Sequence, residues 1–239
     1  MQPLSIDHIF LLVEPEGHEI AALHRLGLTD TYRRAHPGQG TQNACFAFDN
    51  LYLDLLWLTD EADARAPAIA RTRLWERSQW RAQGTCPFGL ALRGDLAAVG
   101  APTWDYRPPY LPPDQSVPIA TSSDDPTSPM VFVSPGRDAP AAWPAHRRDD
   151  LQHPAGFGPI LAVELGLPAH AAADPRLRPL TCSLPGLTRC TPGYSRRCSA
   201  SAATSASTCI CTASSRMAPS RRLTPTYASC LRGRRRKGA

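Results

Sequence analysis

Two polar side chains interrupt apolar strand faces, and they are the candidates for chemistry in this sequence. His8 lies in the segment Leu4 to Val13, which is apolar on both alternating faces and is predicted to be a central strand. Asp54 lies in the middle of the predicted strand Leu51 to Leu58, where aspartate is disfavoured. An imidazole and a carboxylate can contact a ligand or a substrate. The same residues can instead be a hydrogen-bonded core histidine and a turn cap, and the pattern alone leaves both interpretations open.

Strands and short helices alternate around these two residues and must position them. A helix is predicted over His18 to Leu26 with Gly27 as its stop, and the polar stretch Arg33 to Asn43 follows. Ala44 to Phe48 and Leu51 to Leu58 are separated by Asp49-Asn50, which favours a tight hairpin. Trp104 to Pro118 is rich in proline and is predicted to be irregular, since proline cannot donate within a sheet interior. Further elements are predicted as a partly helical segment and four short strands: Glu61 to Ala82, then Pro87 to Leu92, Val117 to Ala120, Met130 to Val133 and Pro159 to Leu167.

Several short motifs, in this order, resemble the glyoxalase-like proteins of the vicinal oxygen chelate superfamily, which groups glyoxalases, bleomycin-resistance proteins and dioxygenases. The resemblance covers roughly residues 4 to 170. It rests on Asp7-His8-Ile9, on the loop from His36 to Thr41, on the hairpin from Phe48 to Leu56, on Pro87-Phe88-Gly89 and on Trp104 to Pro112. The implied fold class is α+β, with paired βαβββ modules that form a curved, mostly antiparallel sheet around a cavity.

The resemblance also implies a divalent metal ion in that cavity. His8 matches the histidine ligand of a module's first strand, and Asp54 matches the acidic ligand of its fourth strand, although glutamate is more usual there. An imidazole and a carboxylate suit Zn, Ni, Mn or Fe(II), which would polarise a carbonyl or enediolate oxygen. The opening strand of the second module, Cys86 to Leu92, has no histidine or acid. His153 and Glu164 are the nearest later candidates, and neither matches a ligand motif cleanly.

Two functions of different classes follow from the resemblance. The first is an enzyme that acts on a small metabolite by metal-assisted lyase, isomerase or dioxygenase chemistry. The second is a non-catalytic protein that binds a small molecule in an aromatic pocket, in the manner of antibiotic-sequestering relatives, as a dimer and without metal. Both have a small-molecule substrate or ligand as partner, and a homodimer is compatible with both. A nucleotide cofactor is not expected, because Gly38-x-Gly40 lacks the spacing and the following helix of a phosphate-binding loop.

The net charge and the amino-acid composition of the chain change near residue 175. All 21 acidic residues lie between Asp7 and Asp174, and that part carries a net charge of −8, whereas the last 65 residues carry +13 and no acid. We therefore divide the chain into a glyoxalase-like domain, residues 1–170, and a low-complexity basic tail, residues 176–239. The tail has six of the eight cysteines, no zinc-ribbon spacing and no periodicity. It is predicted to be disordered, or to be the out-of-frame product of a frameshift in GC-rich DNA, which translation of the other two frames would reveal.

The charge and the hydropathy of the sequence limit which binding partners and which cellular location are expected. The net charge of −8 on the part up to Asp174 argues against nucleic-acid binding as the main function, even though the basic tail could contact phosphates. The sequence has no apolar stretch of about 18–20 residues, so no membrane span is predicted. It also lacks a recognisable secretory signal, and two scattered cysteines in the body fit a reducing compartment. These features together predict a cytoplasmic protein.

Overall fold

The first part of the chain folds into a βαβββ module. A computed structural model describes residues 4–15, 17–148, 151–167, 169–177, 187–190, 207–213 and 228–235. The module consists of β1 (Ser5–Leu12), α1 (His18–Arg25), β2 (Tyr32–His36), β3 (Thr41–Ala47) and β4 (Tyr52–Leu58). The predicted helix and the predicted hairpin are confirmed. The polar stretch Arg33 to Asn43 contains most of β2 and the start of β3, joined by a tight turn, so its polar residues reflect a half-exposed edge of the sheet.

A second module of the same plan follows a set of short helices. The predicted helical segment is divided into α2 (Glu61–Arg65), α3 (Pro67–Ala70), α4 (Leu74–Ser78) and α5 (Trp80–Gln83). The second module consists of β5 (Phe88–Arg93), a 3₁₀ turn (Leu96–Val99), β6 (Thr103–Tyr106), β7 (Val117–Ala120) and β8 (Met130–Val133). The prediction that Trp104 to Pro118 is irregular is wrong at both ends. Thr103–Tyr106 forms the edge strand β6, which contains no proline. Val117 and Pro118 begin β7, the strand predicted over Val117 to Ala120, so a proline does lie in an inner strand of the sheet.

The two modules share one sheet of eight strands. Its order is β2-β3-β4-β1-β5-β8-β7-β6, so each module has the same internal order and the two meet at the antiparallel pair β1–β5. The pairs β1–β4 and β5–β8 are parallel, and the other neighbouring pairs of this sheet are antiparallel. This arrangement confirms the α+β class and the paired βαβββ modules in a mostly antiparallel sheet.

One face of the sheet is covered by α1 and by elements near the end of the domain. After the second module the chain forms α6 (Ala145–Arg148), β9 (Phe157–Gly166) and α7 (Ala169–Ala173). Ile20 and Leu23 of α1 and Phe157 and Val163 of β9 are buried in one apolar cluster with the sheet. The other face carries a smaller apolar cluster that includes Ile69 and Leu74 of the short helices, and it remains partly open.

A second sheet is built on β9. Its order is β10-β9-β12-β11, where β10 is Leu187–Cys190, β11 is Ser207–Ala213 and β12 is Ala228–Arg235. These three strands lie in the predicted low-complexity tail, so three of its segments pair with other strands although the sequence has no strand periodicity. Beyond these strands and residues 176–177, the tail lies outside the described residues, and the frameshift hypothesis stays a prediction. No helix in the described ranges has the length and apolar character required to cross a bilayer.

Candidate functional site

A cavity of about 250 Å³ opens on the partly covered face of the sheet, and both candidate residues line it. His8 lies on β1 and Asp54 on β4, which are parallel neighbours in the first module. In their register His8 is opposite Tyr52 and Phe10 is opposite Asp54. His8 and Asp54 are therefore two positions apart on adjacent strands and belong to the same face. The structure brings the two residues together in one wall of one cavity, as the resemblance implies.

The orientation of His8 is set by the residue before it in the chain. Nδ1 of His8 lies 2.8 Å from Oδ2 of Asp7, and both side chains are buried. Consecutive residues of a regular strand point to opposite faces, but the pairing of β1 with β5 shifts between Ile6 and His8, so Asp7 is the extra residue of a β-bulge. This irregularity lets Asp7 reach the ring of His8. Because the bond occupies Nδ1, Nε2 is the nitrogen that remains for a ligand in the cavity.

Asp7 is itself held by Arg93, the last residue of β5. Nη1 of Arg93 donates to Oδ1 of Asp7, and Nη2 donates to the main-chain oxygens of Ile6 and Asn50 at 2.6 and 2.8 Å. Burial alone would raise the pKa of Asp7, but the hydrogen bond from His8 and the charges of His8 and Arg93 outweigh it and lower the pKa. Asp7 is thus an ionised acceptor that fixes the ring of His8. The sequence analysis did not identify this role.

Asp54 is a buried carboxylate with two donors. Nδ2 of Asn43 donates to Oδ2 at 3.1 Å, and the thiol of Cys45 donates to Oδ1 at 3.8 Å. Burial raises the pKa of Asp54 to about 6, although the charge of His8 and the two hydrogen bonds oppose that rise. The carboxyl group of Asp54 therefore gains or loses its proton close to neutral pH. Because Asp54 lies inside β4, it does not cap a turn.

Aromatic rings form much of the remaining wall. The ring of Tyr52 stacks on His8 with 4.3 Å between centroids, and Phe132 meets His8 edge-on at 5.6 Å. Tyr32 and Trp143 lie next to Tyr52, at centroid distances of 6.3 and 5.8 Å. All five side chains line the cavity. Such a wall suits a ligand with a flat or apolar body.

The last residue of β2 adds a further polar group to the cavity. Residues 37–40 form a turn in which Gly38 and Gly40 have positive φ, a conformation that glycine adopts without strain. His36 precedes the turn, lines the cavity and lies with Nδ1 3.0 Å from the hydroxyl of Thr41. Burial, together with the charges of Arg34 and His8, lowers the pKa of His36 to about 4, so this ring is neutral at physiological pH.

The residues present do not make up a complete metal site. By the strand register, the positions of the second module that correspond to His8 and Asp54 are Gly89 and Phe132, which offer no ligand atoms. The ring of Phe10 fills the space above Gly89, since a Cβ at Gly89 would lie 1.9 Å from Cε1 of Phe10. In the described part of the chain, no group of three or more histidine, cysteine or acidic side chains is placed to hold an ion. The assignment of His8 and Asp54 as metal ligands stays a prediction.

The two later ligand candidates lie elsewhere. His153 is buried on the opposite face of the sheet, where its ring packs on Phe48 and its Nε2 lies 2.9 Å from the main-chain oxygen of Ala47. Glu164 belongs to β9, which packs on that same face. Neither residue lines the cavity. Both are therefore excluded from a site that contains His8 and Asp54.

One protein-family model matches part of the chain. Residues 6–101 match the family model of a glyoxalase-like domain. No curated protein sequence matches the chain. Among solved structures, a hypothetical protein from Staphylococcus aureus is 15% identical with a TM-score of 0.41, and the match covers 75% of this chain and 76% of that one.

Two methylmalonyl-CoA epimerases are also similar in structure. The enzyme from Mycobacterium tuberculosis is 16% identical with a TM-score of 0.34, over 54% of this chain and 85% of the enzyme. The enzyme from Streptomyces coelicolor, in complex with 2-nitronate-propionyl-CoA, is 15% identical with a TM-score of 0.37, over 55% of this chain and 97% of the enzyme.

Proposed function

Since residues 6–101 form a glyoxalase-like domain of the vicinal oxygen chelate superfamily, we propose that this protein is an isomerase-type or lyase-type enzyme. In this proposal Asp54 and His8 move a proton on a small carbonyl compound. The observation that carries the proposal is the placement of these two groups in one cavity wall, two positions apart on β4 and β1. Both are held by neighbours, Asp54 by Asn43 and Cys45 and His8 by Asp7.

Asp54 is assigned as the general base. Its pKa of about 6 leaves the carboxylate mostly ionised at pH 7 while keeping it basic enough to accept a proton from carbon. The carboxylate removes a proton from the carbon next to the carbonyl group, and the electron pair of that C–H bond forms the carbon–carbon double bond of an enolate. The charge then lies on the former carbonyl oxygen.

His8 is assigned as the partner of that oxygen. With Nδ1–H donating to Asp7, a proton on Nε2 is aimed at the cavity and passes to the enolate oxygen, which gives an enol. Reversal of both transfers regenerates the substrate, with the proton on carbon exchanged for one from solvent. When the substrate has a hydroxyl group on that carbon, the enol is an enediol: Asp54 returns its proton to the former carbonyl carbon while His8 takes the proton of the other hydroxyl group. The carbonyl group has then moved by one carbon, and no electron, water molecule or proton is consumed. No step here is routed through a metal ion, because the described residues do not complete a site for one.

Deuterium exchange tests this chemistry without knowledge of the natural substrate. Dihydroxyacetone, pyruvate and 2-oxobutyrate are incubated with the protein in D₂O, and proton NMR follows deuterium entry at the carbon beside the carbonyl group. We expect exchange with the wild-type protein and its loss in Asp54→Asn and His8→Asn. Asp105→Asn and His18→Asn are matched controls, since both residues are exposed and outside the cavity. Exchange that is equal in Asp54→Asn and wild type, or absent from the wild type, contradicts the proposal.

The aromatic wall favours a second candidate, a protein that binds a small molecule without converting it. Tyr52, Tyr32 and Trp143 supply flat contact area, and Phe10 occupies the place where the second module would contribute a ligand. Stoichiometric binding of an aromatic compound, competed by none of the carbonyl compounds and accompanied by no exchange, would support this function.

A further inference from the structure

Two arginines of the cavity have no acidic partner, unlike several other arginines in the described part of the chain. Arg33 pairs with Asp30 at 2.9 Å and Arg93 pairs with Asp7, and several surface arginines have a carboxylate partner in the same way. Arg34 and Arg147 line the cavity, and within the described ranges neither has a carboxylate at ion-pair distance. Their positive charges face the cavity without neutralisation by an acid.

Aromatic rings hold these two guanidinium groups instead. Cζ of Arg34 lies 5.2 Å from the centroid of the Tyr110 ring. Cζ of Arg147 lies 4.9 Å from the centroid of Tyr32 and 4.1 Å from that of Trp143. A guanidinium group that lies against a ring uses its flat face, so its N–H groups, which lie in its plane, stay available as donors. A cation–π contact needs no N–H donor, so the donors of both groups remain available for a ligand.

The two groups lie on the same side of the cavity. Tyr32 and Arg34 are two positions apart on β2 and share one face of that strand. Because Arg147 packs on Tyr32, its guanidinium group lies at the part of the cavity wall that β2 forms. Arg34 is exposed and Arg147 is half-buried, which places them toward the mouth and keeps the desolvation cost of a bound anion small.

We propose that Arg34 and Arg147 bind a terminal anionic group of the ligand, so that the substrate class is a small organic anion with a carboxylate or phosphate at one end. Planar guanidinium donors match the oxygens of both groups, and hydrogen bonds between charged partners are about twice as strong as neutral ones. The anionic group would lie at the mouth, with the reacting carbon toward Asp54 and His8. This orientation rests on the proposed function, whereas the anion site itself does not.

The carboxylates of the same cavity do not oppose this arrangement. Asp7 is already paired with Arg93 and His8, and its charge is balanced. Asp54 lies deeper, on β4, beside His8. Asp138 is exposed at the rim, where solvent screens its charge.

Binding of benzoate, phenyl phosphate and benzamide, measured by isothermal titration calorimetry, tests the proposal. Benzamide has nearly the shape of benzoate but no charge. We expect one or both anions to bind more tightly than benzamide, with an affinity that falls as salt is raised. Arg34→Gln and Arg147→Gln should each lower the affinity for the anion by about tenfold or more. Arg33→Gln and Arg148→Gln, which change the neighbouring arginines outside the cavity, should leave the affinity unchanged. The preferred anion distinguishes a carboxylate site from a phosphate site.

Three results would overturn the proposal: equal affinity for benzoate, phenyl phosphate and benzamide, no binding of either anion, or equal loss in the Arg33 and Arg148 variants. Failure of the proposed function gives a different result. If the protein binds the anions through Arg34 and Arg147 but catalyses no deuterium exchange, the anion site stands and the catalytic assignment of Asp54 and His8 falls. If deuterium exchange occurs and the arginine variants keep full affinity for the anions, the catalytic assignment of Asp54 and His8 stands and the anion site falls.

Discussion

Oδ2 of Asp7 lies 2.8 Å from Nδ1 of His8, the next residue in the chain. This contact is possible because Asp7 is the extra residue of the β-bulge between β1 and β5. Arg93 binds the other oxygen of the same carboxylate, so the ring of His8 is held by a buried chain of charged partners. The bulge thus determines which nitrogen of His8 faces the cavity.

Replacing Asp7 by Asn should impair catalysis more than ligand binding. In the proposed step the ring of His8 carries a proton on both nitrogens and donates the one on Nε2, and the negative charge of Asp7 supports this form. An uncharged amide at position 7 removes that support. We expect the deuterium-exchange rate to fall by at least about tenfold, as for other groups that orient a functional histidine. The affinity for benzoate should stay within about twofold of wild type, since Arg34 and Arg147 do not contact Asp7. An equal loss of exchange and benzoate binding would indicate a general disturbance of the cavity.

The buried carboxyl group of Asp54 should make the free energy of unfolding depend on pH. Its pKa is about 6 in the folded protein and near 3.8 when unfolded, so the folded state binds more protons between these values. Stability contributed by protonated Asp54 is therefore lost as pH rises from about 4 to 6, by an amount on the order of 3 kcal/mol. Urea unfolding at several pH values checks this loss.

Asp54→Asn removes the titrating group and provides the comparison. Relative to this variant, the wild-type protein should become progressively less stable as pH rises through that interval, whereas Asp105→Asn should follow the wild-type profile. If the free energies of unfolding of wild type and Asp54→Asn differ by the same amount at every pH from 4 to 7, then burial does not raise the pKa of the Asp54 carboxyl group.

Much of the fold could be predicted from the sequence because apolar alternation and turn residues mark the strands of the first module. His8 and Asp54 stood out for the same reason, since each is a polar residue on an apolar strand. The edge strand β6 was missed because a proline-rich segment follows it, and β2 was only partly recognised because three of its five residues are exposed.

The remaining parts of the site depend on geometry that one sequence does not show. The role of Asp7 needs the bulge, which arises only when β1 pairs with β5. Arg34 and Arg147 come from β2 and α6, and only the fold brings both side chains to the same cavity. The absence of a ligand at Gly89 could be read from the sequence, but the ring of Phe10 that fills the space could not.

The packing of Phe10 on Gly89 can be tested by a double-mutant cycle. Gly89→Ala should lower the free energy of unfolding by about 1–3 kcal/mol, because the new methyl group overlaps the Phe10 ring. In a Phe10→Ala background the same substitution should cost little, since the ring is gone. Chemical denaturation of the four proteins gives the coupling. Equal costs of Gly89→Ala in both backgrounds would mean that the Phe10 ring does not limit this position.

Removal of metal should not abolish the proposed chemistry. Because Asp54 and His8 act directly, dialysis against EDTA should leave the deuterium-exchange rate unchanged. Metal analysis of the purified wild type and of His8→Ala accompanies this measurement. If exchange is lost on dialysis and restored by one divalent ion, and if that ion is missing from His8→Ala, then the prediction of His8 and Asp54 as metal ligands replaces the direct mechanism.

Arg77 should be among the most sensitive positions for stability. Its side chain is fully buried at the junction of α4 with the second module, and its two terminal nitrogens donate to five main-chain oxygens: those of Cys86, Ser123, Asp125, Pro126 and Ser128. Arg77→Met keeps the apolar stem but leaves these buried oxygens without their donor, so the free energy of unfolding should fall by about 3 kcal/mol or more. Arg25→Met, at the exposed end of α1, should change it by no more than about 0.5 kcal/mol. Urea denaturation compares the two variants. A loss for Arg77→Met as small as that for Arg25→Met would show that water replaces the guanidinium group at these oxygens, and that the segment from Ser123 to Ser128 does not depend on it.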